Sequence, residues 1–185
     1  MTGTTTGNDD KETVDTQTMT DTRATLDADL MKQVNRQFVT GVTVVTVMDG
    51  DRPRGLAVNA FSSISLDPPT VMVCVQRTSS TYESLFRATH LAINILSTDQ
   101  LDVVNRFASK ATDKFEGLDW TANQYGSPVL ARSSAHMEVE IRERLQASTH
   151  TVFICRVVDA GVTELHPMVY SAGRFFDGGA MTPLS

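Results

Sequence analysis

RGLAVNAFSSISLDPPTVMVCVQ, residues Arg54–Gln76, decides how the rest of the chain is read. Leu56 to Val58 is short and apolar, and Thr70 to Gln76 is an apolar run of the kind found in sheets buried on both faces. The stretch therefore reads as strand, irregular polar loop, strand. In the loop, Asn59, Ser62, Ser63 and Ser65 place an amide and hydroxyls between core strands. Each needs a partner, because a buried unpaired polar group costs roughly 1–3 kcal/mol. A bound polar ligand is one source of such partners. Asp67-Pro68-Pro69 then makes a stiff extended turn, since proline fixes φ and drives the residue before it out of the helical region.

Upstream, Thr40 to Met48 (TGVTVVTVM) is β-branched and runs into Asp49-Gly50-Asp51, a hairpin signal, so the strand from Arg54 pairs back on it. Leu26, Leu30, Met31, Val34 and Phe38 recur at helical spacing and predict an amphipathic helix of about three turns. Downstream, Ser79-Ser80-Thr81 precedes Tyr82, Leu85 and Phe86, a hydroxyl N-cap opening a short helix. An ordinary cap and a phosphate seat both fit that pattern, because free amides at a helix start attract anions. His90 to Leu96 reads as a buried strand, and Thr98 caps a second helix carrying Leu101, Val103, Val104 and Phe107. Gly126-Ser127-Pro128 turns the chain into Val129 and Leu130. From Ala135 onward, Ala135, Met137, Val139 and Ile141 alternate with His136, Glu138, Glu140 and Arg142, the pattern of a half-exposed antiparallel strand. Thr149–Asp159 is the next strand and Pro167–Phe176 the last. Mostly antiparallel strands with a few helices predict a mainly β fold, a closed antiparallel β-barrel with peripheral helices, because closure removes exposed strand edges. The helix beginning at Leu26 is expected to lie against that barrel.

At 185 residues the chain has room for one domain with a substantial core and a tail. Residues 1–25 are polar, rich in Thr and Asp, and lack apolar periodicity, so they are expected to form a disordered extension before a domain at 26–185. That extension holds half of the formal charge of −6. With a pI near 5.1 and no basic run, a nucleic-acid surface or an acidic membrane is disfavoured as partner. No segment approaches the roughly 20 apolar residues of a membrane span, and the N-terminus does not follow the signal-peptide pattern, so a cytoplasmic protein is expected. Cys74 and Cys155 each sit in an apolar run and read as buried free thiols. His136, Glu138 and Glu140 have the spacing of a solvated strand face, and no metal site is expected.

VNAFSSISLDPPTVMVCVQRTSST resembles the signature of the short-chain flavin reductases, NAD(P)H:flavin oxidoreductases on an FMN-binding split barrel that serve two-component monooxygenases. Asn59, Phe61, Ser63, Ser65, Leu66, Pro68, Pro69, Ser79 and Ser80 fall in the pattern, while Val58 and Ala60 replace its commoner Ala and Ser. The likeness continues through Arg106-Phe107-Ala108, Asp113-Lys114-Phe115, Asp119-Trp120 and the C-terminal Pro167, Tyr170, Gly173, Arg174 and Phe175. In that family the strand of residues 149–159 opens with G-D-H. Here Ser148-Thr149-His150 stands in its place, so the Gly and Asp are missing.

What the resemblance implies is hydride transfer from NADH or NADPH to FMN or FAD, with the reduced flavin passing to a separate monooxygenase, and a homodimer. A flat ring with polar edges suits Thr40, Gly41 and Val42 together with Leu56, Ala57, Val58, Asn59, Ala60, Phe61 and Ser63, with Phe107 nearby. Its phosphate suits Arg77, Thr78, Ser79, Ser80 and Thr81. The resemblance places His150 at the nicotinamide. Read alone, a strand-opening histidine is more often a surface or capping residue. Arg174 fits solvent or a pyrophosphate equally. No acid–base residue is required, because the hydride chemistry belongs to the cofactors. Two rival readings are a split-barrel oxidoreductase with permanently bound flavin acting directly on a small molecule, and a non-catalytic flavin-binding module.

Overall fold

The computed structural model describes residues 1–3 and 26–184, so most of the expected N-terminal extension lies outside the described residues. The elements are α1 (Ala28–Arg36), β1 (Thr40–Gly41), β2 (Thr43–Asp49), β3 (Arg52–Val58), β4 (Phe61–Leu66), β5 (Pro69–Gln76), α2 (Tyr82–Arg87) and β6 (His90–Ile95). A 3-10 turn (Thr98–Gln100) then leads into α3 (Leu101–Ala108), followed by β7 (Trp120–Ala122), β8 (Pro128–Leu130), β9 (Ala135–Ala147), β10 (His150–Val162), β11 (Met168–Ser171) and β12 (Arg174–Asp177). No helix among the described residues is long and apolar enough to cross a membrane.

The molecule is mainly β, as its periodicities predict. Seven strands form one antiparallel sheet in the order β3-β2-β6-β9-β10-β5-β4, with β1-β11-β12 and β7-β8 as smaller sheets. The large ladder is linear and ends at β3 and β4. Its two ends nevertheless curl toward each other. In a flat sheet β3 and β5, five ladder steps apart, would be separated by roughly 24 Å. Instead Leu56 and Val58 of β3 share one core with Val71, Val73 and Val75 of β5, and with Val45, Ile93, Val139 and Phe153 from the strands between. A second core, built on Val42, Val44, Leu96, Phe107, Phe115 and Met168, lies between α3, β8 and the C-terminal hairpin.

Local chemistry explains several joints. Gly50 at φ 64 makes the β2–β3 turn, where Asp49 pairs with Arg52. The expected strand Thr40–Met48 is interrupted at Val42, so that β1 pairs with β11 while β2 enters the large sheet. The expected single strand Pro167–Phe176 is a hairpin, turned by Ala172 and Gly173 at φ 49 and 85. Ser97 rather than Thr98 stands before the 3-10 turn that leads into α3, its amide donating to the Gln100 side chain at 3.0 Å.

Four other expectations change. The Asn59–Ser65 segment is largely strand, not irregular loop. As the last strand of the ladder, β4 has one neighbour, and its Ser62 and Ser63 are exposed and Ser65 half-buried rather than wedged between interior strands. Ser62 donates to the Ser63 carbonyl at 3.1 Å and Ser65 to that of Asp67 at 3.0 Å. β5 buries Val71, Val73 and Val75 on one face and leaves Met72 and Cys74 half-covered on the other, so it is not enclosed on both sides. α1 buries nothing: Leu30, Met31, Val34 and Phe38 are all exposed, because helical periodicity specifies an apolar face but not the surface that meets it. Glu138, expected on a solvated face, is fully buried beneath residues 123–127, its carboxylate accepting from the amides of Tyr125 and Ser127 at 3.0 and 2.9 Å.

Both cysteines are free, and burial pushes the thiol of Cys74 up and that of Cys155 up to about 12. The β9–β10 turn places Ser148 at φ 52, a conformation costing L-residues roughly 1–2 kcal/mol. Ser148→Gly is therefore expected to stabilise the fold by about 0.5–1 kcal/mol after glycine's entropy penalty, read as a higher urea midpoint. An unchanged or lower midpoint would contradict that strain.

Candidate functional site

β3 ends the ladder, so one of its edges carries peptide groups that no strand pairs. Beside it lie two grooves that meet at a common wall of Leu56, Ala57, Gln76 and Ser79. The first, about 430 Å³, is completed by Val58, Asn59, Ala60, Cys74, Val75, Ala147 and His150. The second, about 650 Å³, is completed by Thr78, Ser80, Phe107, Ala108, Ser109, Lys110 and Lys114. One end is thus small, apolar and rich in open peptide, while the other carries hydroxyls and ammonium groups.

Close packing sets this shape. At Gly55 a Cβ would stand 2.6 Å from Cε1 of Phe107 and 3.0 Å from the Val45 carbonyl, so only glycine lets α3 lie this tightly on β3. Thr81 buries its hydroxyl and donates it to the Gly55 carbonyl at 3.0 Å, tying the start of α2 to the same point. It therefore makes no side-chain cap, and the predicted hydroxyl cap of α2 is absent. Ser79 accepts from the Thr81 amide at 3.3 Å and keeps its own proton to donate. Lys114 is buried and donates to the Phe107 carbonyl at 2.9 Å, near the C-terminal end of α3, where a cation is favoured. Burial pushes its ammonium below the usual lysine range. His150 opens β10 opposite Gln76 and Ala147, and Thr149 Oγ1 lies 2.9 Å from its Nδ1.

The structure brings Leu56, Ala57, Val58, Asn59, Ala60, Thr78, Ser79, Ser80, Phe107 and His150 to the grooves. It does not bring the other expected residues to their walls. Thr40 and Gly41 pair with Tyr170 and Val169 in the small sheet, and Val42 is buried in the second core. Phe61 packs on the first core, Ser63 faces solvent on β4, and Thr81 is spent on Gly55. Arg77 contributes its amide, donated to the Thr149 carbonyl at 3.0 Å. Arg174 is exposed on β12, its guanidinium 5.9 Å from the Phe176 ring centre. Gln76, Ser109, Lys110 and Lys114 were not anticipated. Lys114 had a signal in the Asp113-Lys114-Phe115 block, whereas nothing local marks Gln76 or Ser109 as wall residues. Among the described residues no group of three His, Cys, Asp or Glu side chains is placed to hold a metal ion.

Comparison with known proteins bears on what such a groove holds. A Rhizobium meliloti protein named as a flavin reductase is 39% identical over 140 residues, covering 75% of this chain but only 45% of its own length. The flavin-dependent monooxygenase reductase subunit HsaB of Rhodococcus jostii is 33% identical over 151 residues, covering 81% of this chain and 77% of that protein. The solved NADH:FAD oxidoreductase SgcE6 of Streptomyces globisporus, in complex with NAD and FAD fragments, superposes with a TM-score of 0.77 at 34% identity. That match covers 84% of this chain and 96% of that one. Residues 35–179, which include all of both groove walls, match the flavin reductase like domain, and the chain belongs to that family.

Proposed function

We propose that this protein transfers hydride from NADH or NADPH to FMN or FAD and releases the reduced flavin to a separate monooxygenase. The observation carrying this reading is the joined pair of grooves, with open peptide edge at one end and Ser79, Ser80, Lys110 and Lys114 at the other. That is the polarity of an isoalloxazine with a phosphorylated tail. The unpaired edge of β3 at Leu56–Val58 supplies fixed donors and acceptors to the ring's polar rim, and Leu56, Ala57 and Cys74 supply apolar contact. The hydroxyls and lysines hold the phosphate, and His150 lines the end left for the nicotinamide. The hydride passes between nicotinamide and flavin, so the chain's task is to align them and exclude water. The same reading takes the coiled sheet as a split barrel acting in the cytoplasm as a homodimer. The exposed apolar residues Ile64, Leu66 and Leu145 near the groove strands support a contact with a second copy.

Following NADH oxidation by the purified protein with and without added FMN or FAD tests the proposal. Turnover that rises with free flavin is expected. Turnover indifferent to it would instead indicate a flavin held permanently, and flavin binding without oxidation would indicate a binding module. Lys110→Ala is expected to weaken FMN binding about tenfold, or about 1.4 kcal/mol, while leaving riboflavin, which lacks the phosphate, unchanged. Equal losses for both ligands would remove the lysine from the phosphate. Because burial holds the Lys114 ammonium below the usual lysine range, its share of phosphate affinity is expected to fade earlier with rising pH than an exposed lysine's.

A further inference from the structure

The histidine at the groove has an unusual partner for its place in the family pattern. Where the resemblance leads one to expect Asp, Thr149 stands, and its Oγ1 lies 2.9 Å from His150 Nδ1. The threonine is pinned on both sides. Its carbonyl accepts from the Arg77 amide at 3.0 Å, and the preceding Ser148 is held at φ 52 in the turn. Threonine is also β-branched and stiff about χ1, so a fixed backbone gives a fixed hydroxyl. No carboxylate lines the groove that His150 enters, and among the described residues Nε2 has no hydrogen-bond partner.

We propose that Thr149 is the positioning residue of His150, its hydroxyl orienting the imidazole so that Nε2 meets the carboxamide of the nicotinamide. This rests on the reductase reading above. A carboxylate at position 149 would only accept, and would require a proton on Nδ1. A hydroxyl both donates and accepts, so it sets the ring's orientation while serving either tautomer. A carboxamide, with one carbonyl and one amino group, is matched by either. No proton is transferred in this step, because the ring contributes one hydrogen bond and the hydride moves between the cofactors.

The molecule contains its own control. Thr89 Oγ1 lies 3.1 Å from His90 Nδ1 at the opening of β6, the same local geometry. There the ring stacks on Tyr125 with centroids 4.4 Å apart, and it faces neither groove. Thr149→Val keeps the branched shape and removes the hydroxyl, Thr149→Ser keeps the hydroxyl, and Thr89→Val perturbs the control pair. The experiment measures steady-state NADH oxidation with FMN for each variant, together with long-range ¹H–¹⁵N spectra of the His150 ring in the ligand-free protein.

Thr149→Val is expected to raise KM for NADH about fivefold, with kcat and the KM for FMN within twofold, and to change the ring nitrogen shifts of His150. Thr149→Ser restores both, and Thr89→Val alters neither. Should valine disturb the turn, Thr149→Ala carries the same expectation. Unchanged KM and ring shifts in Thr149→Val, failure of serine to rescue, or an equal effect of Thr89→Val would overturn the proposal. If the unmodified protein oxidises no NADH with any added flavin, the reductase reading fails and takes the nicotinamide contact with it. The ring spectra then decide separately whether Thr149 orients His150.

Discussion

Glu138→Ala is expected to lower the unfolding free energy by about 3 kcal/mol, measured as a reduced urea midpoint with an unchanged slope. The carboxylate is fully buried and accepts from two backbone amides, those of Tyr125 and Ser127. Hydrogen bonds to a charged group contribute roughly 1.5–3 kcal/mol each, and truncation leaves both donors without acceptors. Part of that loss returns when water reaches the freed loop, which is why the figure stays at the lower end of the roughly 3–6 kcal/mol that two such bonds would give. The loop also loses its seat. Asn123 donates to Asp159 at 2.7 Å and Tyr125 stacks on His90, and both contacts depend on the same few residues staying in place. Glu138→Gln, which keeps one acceptor oxygen and opposes an NH₂ to the other amide, is expected to cost about half as much. Flavin binding below the transition should be unaffected, because neither groove includes these residues. A loss under 1 kcal/mol for the alanine variant would show that the loop is held by other means.

Gly55→Ala is expected to damage stability and site together. The added methyl would stand 2.6 Å from Phe107 Cε1 and 3.0 Å from the Val45 carbonyl. The carbonyl belongs to a central strand and cannot retreat, so the phenyl ring must. Phe107 is itself buried, edge-on to Phe115 with centroids 5.1 Å apart, and overpacking of this kind costs roughly 1–3 kcal/mol. Because Phe107 lines the larger groove and Leu56 and Ala57 follow directly on β3, displacement is expected to weaken flavin binding at least about tenfold, or about 1.4 kcal/mol. Phe107→Leu in the Gly55→Ala background should recover part of the stability, a coupling that independent sites would not show. Fluorescence titration with FMN and denaturant melts of the single and double variants measure both effects. Wild-type affinity in Gly55→Ala would mean that Phe107 does not shape the flavin wall.

The antiparallel strands, β9 among them, the hairpin at Gly50 and the helix carrying Val103, Val104 and Phe107 could be read from residue order, because turn chemistry and periodicity act over a few residues. The two halves of the C-terminal hairpin could not be separated that way. Gly173 marks the reversal, but Ala172 beside it, at φ 49, carries no left-handed preference that would complete a two-residue turn signal. Family blocks and groove walls coincide at Leu56–Ala60, Thr78–Ser80, Phe107 and His150, and there the candidate site could be read from the sequence. Thr81, whose hydroxyl turns inward to the Gly55 carbonyl, and Ser63, which faces water, lie outside the groove walls.

Local residue chemistry was thus sufficient to establish a mainly β chain and a polar segment after β3. Packing between distant segments settled what those pieces face. β4 lies at the end of the ladder, so Ser62 and Ser63 meet solvent. A loop lies over β9, so Glu138 is buried. The sheet curls until β3 nears β5, so a groove opens between an unpaired strand edge and the lysines after α3. Each outcome depends on which neighbour covers a face, and that neighbour is supplied by residues tens of positions away.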